Sequence, residues 1–220
     1  MQITLWGPGL AGLRERQKAD RNHRILTSAT ELFRRDGYRH VRMEDLAQRA
    51  GVSVGTVYNY YSTKGDILIA IVSMEVKEVL EAGECLLASP PRPVLKALTR
   101  LIDHYYDHSL HYLDKEMWRT AMATSIESPH TPNGLKYNLL DERLRNQVQR
   151  LLLVLQERGD VVPGVDAAVI GSLLFNLLNV LFIDFVKSDD MELGSLKATL
   201  HGQLDVISRI LVSDDSSLEN

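Results

Sequence analysis

Apolar residues recur at helical spacing along almost the whole chain, and the alternating apolar and polar pattern typical of strands is almost absent. We therefore expect an all-α protein. The pattern predicts nine helices, at about 20–36, 43–50, 53–61, 63–87, 93–110, 114–125, 135–158, 165–187 and 192–212.

Capping residues sharpen the first four of these boundaries. Asp20 can cap the first helix and Gly37 can stop it, while Gly51 ends the second and Ser53 stands where an N-cap opens the third. The segment "TKGD" at 63–66 has the capping-box pattern that opens a fourth helix. We expect a disordered leader at 1–18, a three-helix domain at 19–65, a larger helical domain at 66–212 and an acidic tail at 213–220.

Charge differs between the two ends of the chain. Residues 1–65 hold eleven Lys and Arg against six Asp and Glu, a net charge of +5, whereas the remaining residues carry −9. This distribution indicates that the first part contacts a polyanion. The single cysteine, Cys85, permits no internal disulfide, which fits a reducing cytoplasm.

The second and third helices, joined by "GVS" at 51–53, form a helix-turn-helix pattern whose second helix can enter the DNA major groove. Helical spacing places Val57 and Tyr61 inward. The remaining positions can face DNA. Gly55 allows a close approach of the backbone, and Asn59 can bind an adenine edge. The hydroxyl groups that can donate to phosphate oxygens are those of Thr56, Tyr58 and Tyr60. Lys64, at the start of the next helix, is a candidate phosphate contact.

The segment "RILTSATELFRRDGYRHVRMEDLAQRAGVSVGTVYNYYSTKGDIL" at 24–68 resembles the tetracycline-repressor (TetR) family of bacterial transcription regulators. The resemblance rests on "A-ELF---GY", "DLAQRAGVS-GTVY-Y" and "-K-DIL" in order and at the right spacing. It implies an N-terminal DNA-binding domain, a C-terminal domain for ligand binding and dimerisation, and repression that a small molecule relieves.

Carried over position by position, the resemblance implies DNA contacts at Arg42, Ser53, Val54, Gly55, Thr56, Tyr58, Asn59, Tyr60 and Lys64. The sequence departs from the family pattern at Val54, where a polar or basic residue is common, and at Asn59 and Tyr60, where a His-containing pair is common. Gly65 replaces a usual acidic residue. These departures bear on which operator sequence is bound.

The larger domain shows no catalytic constellation, so we expect no enzyme activity and no cofactor. His104 and His108 have a spacing that can hold a metal. His104 falls on the far side of the helix from its apolar stripe and His108 at the edge of the stripe, so we expect a solvated face and no metal site. Large or polar residues on apolar helices are the candidates for an effector pocket: Tyr105, Trp118, Met122, Phe175, Asn176 and Asn179. The alternative for Trp118, Met122 and Phe175 is that they are ordinary residues of the hydrophobic core.

Residues 167–183 contain no charge, which raises the possibility of a membrane span. Ser172, Asn176 and Asn179 are costly in lipid, so the sequence favours burial between subunits over a membrane. We expect the last two helices to form a homodimer interface.

The function that these patterns indicate is a cytoplasmic, homodimeric repressor that binds a palindromic double-stranded operator and is released by a small, largely apolar effector. Two alternatives remain at this point. One is a DNA-binding dimer without an effector, and the other is a helical enzyme or ligand carrier whose helix-turn-helix is only a scaffold.

Overall fold

The computed structural model describes residues 9–212, with side-chain positions from residue 12 onward, and this part of the chain is helical with no strands. Its helices are α1 (Gly9–Asp36), α2 (Met43–Ala50), α3 (Val54–Tyr60), α4 (Lys64–Ala88), α5 (Val94–His108), α6 (Lys115–Glu127), α7 (Pro132–Glu157), α8 (Ala167–Lys187) and α9 (Leu193–Leu211). The all-α class, with a helix-turn-helix domain before a larger helical domain, is confirmed.

The first helix is longer than predicted. It begins at Gly9, so that residues 9–18, expected to be a disordered leader, are helical, and Asp20 lies inside the helix rather than at its cap. The physical reason is composition: the segment "LRERQKA" at 13–19 consists of residues with good helix propensity. Residues 1–8 and the acidic tail at 213–220 lie outside the described residues.

The chain divides into two compact units, Met1–Ile71 and Val72–Asn220, of which the structure describes 9–71 and 72–212. The division falls within α4 rather than at the predicted boundary of 65. The first turns of α4 carry fully buried Ile67, Leu68 and Ile71, which explains why they belong with the first unit.

In the first unit, α1 packs on α2, and α2 on α3. The apolar stripe of α1, including Ile25, Ala29 and Phe33, is buried together with Leu46 of α2 and Val57 of α3. This small core holds the two short helices in place, since isolated helices of seven or eight residues are not stable in water.

In the second unit, α7 packs most extensively on α8, and α5 on α9. Gly171 permits the close approach of α7 and α8, because a Cβ at this position would stand 2.6 Å from the Cα of Gln149. Among residues 9–212, α8 has the length and composition of a membrane span, with a mean hydropathy of 2.1. Core helices of soluble proteins share these properties.

Candidate DNA-binding surface and ligand cavity

The turn between α2 and α3 is fixed by local backbone geometry and by a hydrogen bond from α1. Gly51 has φ 64°, a left-handed conformation that favours glycine. Ser53 caps α3, its Oγ accepting a hydrogen bond from the backbone N–H of Thr56 at 3.1 Å. The Nε of Arg24 on α1 donates to the carbonyl of Ala50 at 3.1 Å, which ties the last turn of α2 to the first helix.

The outer side of α3 presents most of the predicted contact residues. Ser53, Gly55, Tyr58 and Asn59 are exposed, with Tyr58 49% exposed, whereas Val57 is fully buried. Val54 and Thr56 are half-buried, and Arg42, which precedes α2, is exposed. The structure therefore brings most of the predicted DNA-contacting side chains to accessible positions on or beside one short helix.

Tyr60 and Tyr61 are both half-buried and both bonded to α1. The hydroxyl of Tyr60 donates to the carbonyl of Lys18 at 3.1 Å, and that of Tyr61 donates to Oδ1 of Asn22 at 2.6 Å. Burial is the main cause of the raised pKa of Tyr61. Helical spacing predicted that, of these two tyrosines, Tyr60 faces outward and Tyr61 faces inward. In the structure both make a structural contact, because α1 extends far enough to meet them.

Lys64 is used within the first unit. Its ammonium donates to the backbone carbonyls of Tyr38 at 2.6 Å, Arg39 at 3.1 Å and Val41 at 3.0 Å, and it lies 4.5 Å from the ring centroid of Tyr38. An ammonium has three N–H donors, and three carbonyls accept from it here. The geometry thus assigns Lys64 to the segment between α1 and α2, in place of the phosphate contact expected from the sequence.

The second unit contains a mostly apolar cavity of about 70 Å³ between α4, α5, α6, α7 and α8. Five of the six predicted pocket residues line it: Tyr105, Trp118, Met122, Phe175 and Asn179. Asn176 does not, because it is exposed on the opposite side of α8 from the buried Phe175 and Leu178. Its inclusion in the pocket was wrong.

The polar groups of three aromatic residues at this cavity already have partners. The hydroxyl of Tyr105 donates to Oε1 of Gln147, that of Tyr106 donates to the carbonyl of Leu178, and the indole N–H of Trp118 donates to the carbonyl of Ser109, each at 2.7 Å. These bonds leave the ring faces as the surface that a ligand meets.

Comparison with known proteins agrees with this architecture. Residues 25–71 match the family model for bacterial regulatory proteins of the tetR family. This match covers the C-terminal part of α1, α2 and α3 with their turn, and the first turns of α4. Residues 25–71 therefore form a DNA-binding domain of the tetR family.

Two curated relatives and one solved structure illustrate the match. The chain is 23% identical over 181 residues to the fatty acid metabolism regulator protein of Bacillus subtilis, covering 79% of this chain and 88% of the relative. It is 34% identical over 65 residues to the transcriptional repressor KstR of Rhodococcus jostii, covering 30% of this chain and 31% of the relative. The crystal structure of FadR from Bacillus subtilis in complex with stearoyl-CoA has a TM-score of 0.63 and 20% identity, covering 83% of this chain and 96% of that one. The protein is accordingly a DNA-binding transcriptional regulator with an N-terminal domain of the tetR family.

Two carboxyl groups line the cavity, and neither was predicted from the sequence. Glu75 of α4 is 2% exposed, and Asp141 of α7 lies between buried Tyr137 and half-buried Leu144. Burial raises the pKa of Glu75 to about 7 and that of Asp141 to about 6. A signal was available: each acid interrupts the apolar stripe of its helix.

An exposed apolar stripe runs along the side of α8 that is opposite the buried Phe175 and Leu178. Val169 is 53% exposed, Leu173 57% and Val180 56%, and Asn176 falls on the same stripe at helical spacing. On α9, Val206 and Ile210 are also exposed, at 59% and 69%. We call these residues of α8 and α9 the outer apolar face. Exposed apolar faces of this kind are typical of interaction surfaces.

Proposed function

We propose that the protein is a homodimeric repressor that binds a palindromic DNA operator through α3 and is released from it by a small, largely apolar effector. One observation carries the proposal: the same chain combines a capped recognition helix with exposed Tyr58 and Asn59 and, in its second unit, an apolar cavity with several predicted pocket residues. The relative that is named as a transcriptional repressor, matched over 65 residues, supports the direction of control.

The DNA contacts divide by chemistry. Asn59 reads an adenine edge, since its amide offers both a donor and an acceptor. Ser53, Thr56 and Tyr58 contact phosphate oxygens, and Gly55 permits close backbone approach, while Val54 meets a thymine methyl group. Arg42 supplies the positively charged phosphate contact that the sequence predicted for Lys64.

The effector binds in the cavity and enlarges it. A cavity of about 70 Å³ is small beside ligand pockets of roughly 300–1,000 Å³, so a ligand must displace the surrounding helices. Val72, Glu75, Val76 and Val79 of α4 contribute to the lining. The solved relative whose crystal contains stearoyl-CoA supports an effector with a long apolar part.

Displacement of α4 is the route by which the effector changes DNA affinity. The helix runs without interruption from Lys64 to Ala88. At its start, the ammonium of Lys64 holds the backbone of residues 38–41, immediately before Arg42 and α2. A shift of α4 therefore pulls on the segment that precedes α2. A ligand alters the affinity for DNA only by preferring one of the two states.

Dimerisation places two copies of α3 on one duplex. We assign the outer apolar face to this contact, because it is too apolar to remain in water. The asparagine Asn176 then lies within the dimer contact, and the two recognition helices are about 34 Å apart, one turn of DNA.

The test begins with DNA selected from a random pool by the purified protein. Compounds are then screened for two effects, a rise in melting temperature and release of the selected DNA. A compound that does both supports the proposal. Asn59→Ala serves as the control, because it should bind the DNA more weakly and keep the rise in melting temperature. If compounds raise the melting temperature and none of them releases the DNA, the protein is a DNA-binding dimer without this effector control.

A further inference from the structure

One carboxylate oxygen of Glu75, a residue of the cavity lining, is unsatisfied in the part of the chain that the structure describes. Oε1 of Glu75 accepts from Nδ1 of His108 at 2.7 Å, but Oε2 has no hydrogen-bond partner among the described residues and is inaccessible to solvent. A buried carboxylate oxygen without a partner is costly. Since Glu75 lines the cavity, a ligand there can supply the missing donor.

The position of this carboxyl group is well defined. His108 lies between two acids, with Nε2 also 3.4 Å from Oε2 of Glu78. The hydroxyl of Tyr112 lies 3.0 Å from both carboxylate oxygens of Glu78, which holds that second acid in turn. The Glu75 side chain is therefore anchored through Oε1, and Oε2 is the oxygen that remains without a partner among the described residues.

The rest of the lining has the same electrostatic preference. Asp141 is a second carboxyl group at the cavity, and in the part of the chain that the structure describes, no lysine, arginine or histidine belongs to the lining. Arg145 lies over the ring of Phe175, 4.9 Å from its centroid, but is outside the lining set. Apart from Ser109 and Asn179, the rest of the lining is aliphatic, aromatic or methionine, and the negative faces of aromatic rings attract cations.

We propose that the effector is a protonated amine with an apolar body, whose ammonium group donates to Oε2 of Glu75 while its apolar part lies among the aromatic rings of the cavity. This inference rests on the proposed effector role of the cavity and adds the chemical class. A carboxylate or phosphate head group would face two acids without a basic partner in the lining. An alcohol can donate to Glu75 but brings no opposite charge.

The experiment compares four probes that share an eight-carbon chain: octylamine, octan-1-ol, octanoate and octanoyl-CoA. Their dissociation constants for the full-length protein are measured by calorimetry at about pH 8, above the raised pKa of Glu75, where its carboxyl group is ionised and the amine keeps its proton. The amine should bind at least about tenfold more tightly than each of the others, because a hydrogen bond to a charged group is worth more than a neutral one. Glu75→Gln keeps the shape and removes the charge, and it should remove most of this preference.

Glu78→Gln is the matched control, because Glu78 is on the same helix and beside the same histidine but does not line the cavity. It should keep the preference for the amine. Asp141→Asn provides a second cavity variant and should reduce the preference by a smaller factor, even if Glu75→Gln does not fold.

The inference fails if octanol, octanoate or octanoyl-CoA binds wild-type protein as tightly as the amine, or if none of the four binds. It also fails if Glu75→Gln is folded and keeps the full preference. Measuring release of the selected DNA distinguishes failure of this inference from failure of the proposed function. Should octanoate or octanoyl-CoA bind best and release the DNA, the proposed repressor stands and only the amine class is rejected.

Discussion

The ammonium of Lys64 lies 2.6 Å from the backbone carbonyl oxygen of Tyr38, at the point where the first turn of α4 meets the end of the segment that follows α1. Two further carbonyls, of Arg39 and Val41, accept from the same nitrogen. A charged donor that satisfies three backbone acceptors is a structural element, and its removal leaves those acceptors without a partner.

Lys64→Ala should lower the free energy of unfolding by about 1–3 kcal/mol, because three carbonyls lose a charged donor. Urea denaturation followed by circular dichroism measures this. Lys77→Ala is the control, since Lys77 is 74% exposed and only 3.6 Å from Glu81 in a surface ion pair, and its loss should change stability by less than about 0.5 kcal/mol. If Lys64→Ala is as stable as the control and instead lowers the salt dependence of DNA binding, Lys64 contacts phosphate directly.

Tyr58→Phe and Tyr60→Phe should separate a DNA contact from a structural one. Removing the hydroxyl of Tyr60 breaks its bond to the carbonyl of Lys18 and should cost about 0.5–1.5 kcal/mol of stability. Tyr58 is 49% exposed, so its hydroxyl should matter for DNA affinity while stability stays within about 0.5 kcal/mol. Melting temperature and DNA affinity are measured for both. Equal destabilisation by the two changes would contradict the assignment of Tyr58 to DNA.

The double change Leu173→Glu and Val180→Glu should make the protein monomeric and weaken its binding to selected DNA that contains both half-sites. Both residues belong to the outer apolar face, and a dimer would have to bury the added charges without partners. Analytical ultracentrifugation gives the oligomeric state. Leu135→Glu on α7 is the matched control, because Leu135 is 56% exposed but lies outside that face. A double variant that remains dimeric would place the dimer contact elsewhere.

The local parts of the fold could be predicted from sequence, because they depend on neighbouring residues. The glycine turn at Gly51, the cap at Ser53 and the box formed by Thr63 and Asp66 each involve partners within a few positions, and each is present in the structure. The helical periodicity also predicted most of the cavity lining, since Phe175 and Asn179 are one turn apart on α8.

Long-range contacts could not be predicted in the same way. The role of Lys64 depends on carbonyls more than twenty residues earlier, and that of Tyr60 on a carbonyl in the extended part of α1. Asn176 and Asn179 look alike on an apolar helix, and only the packing of α8 decides which of them faces the cavity. For Glu75, the decisive partner is His108 on another helix.

Stability should fall as pH rises from about 4.5 to about 7, because burial raises the pKa of Glu75 from 4.5 to about 7. In this range the folded carboxyl group keeps its proton while the unfolded one has lost it, so rising pH favours unfolding, by on the order of 2–3 kcal/mol. The raised pKa of Asp141 acts in the same direction. His108, Glu78 and the backbone N–H of Tyr112 are the groups that face Glu75.

Urea denaturation at about pH 5 and about pH 8 tests this for wild type, Glu75→Gln and Glu78→Gln. The Glu75 variant should lose much of the difference between the two pH values and be relatively more stable at the higher one. The Glu78 variant should keep most of the wild-type difference. A Glu75 variant with the unchanged wild-type difference would mean that Glu75 is ionised in the folded protein throughout this range.

Selection of bound fragments from random-sequence DNA, carried out in parallel with wild type and Asn59→Ala, tests the central claim most directly. We expect wild type to enrich a palindrome with half-site centres about one helical turn apart. The variant should bind it more weakly, by on the order of 1–3 kcal/mol per lost base contact, and relax the sequence at a single position in each half-site. Enrichment of no common sequence, or of the same sequence with equal strength by both proteins, would contradict recognition of an operator through α3.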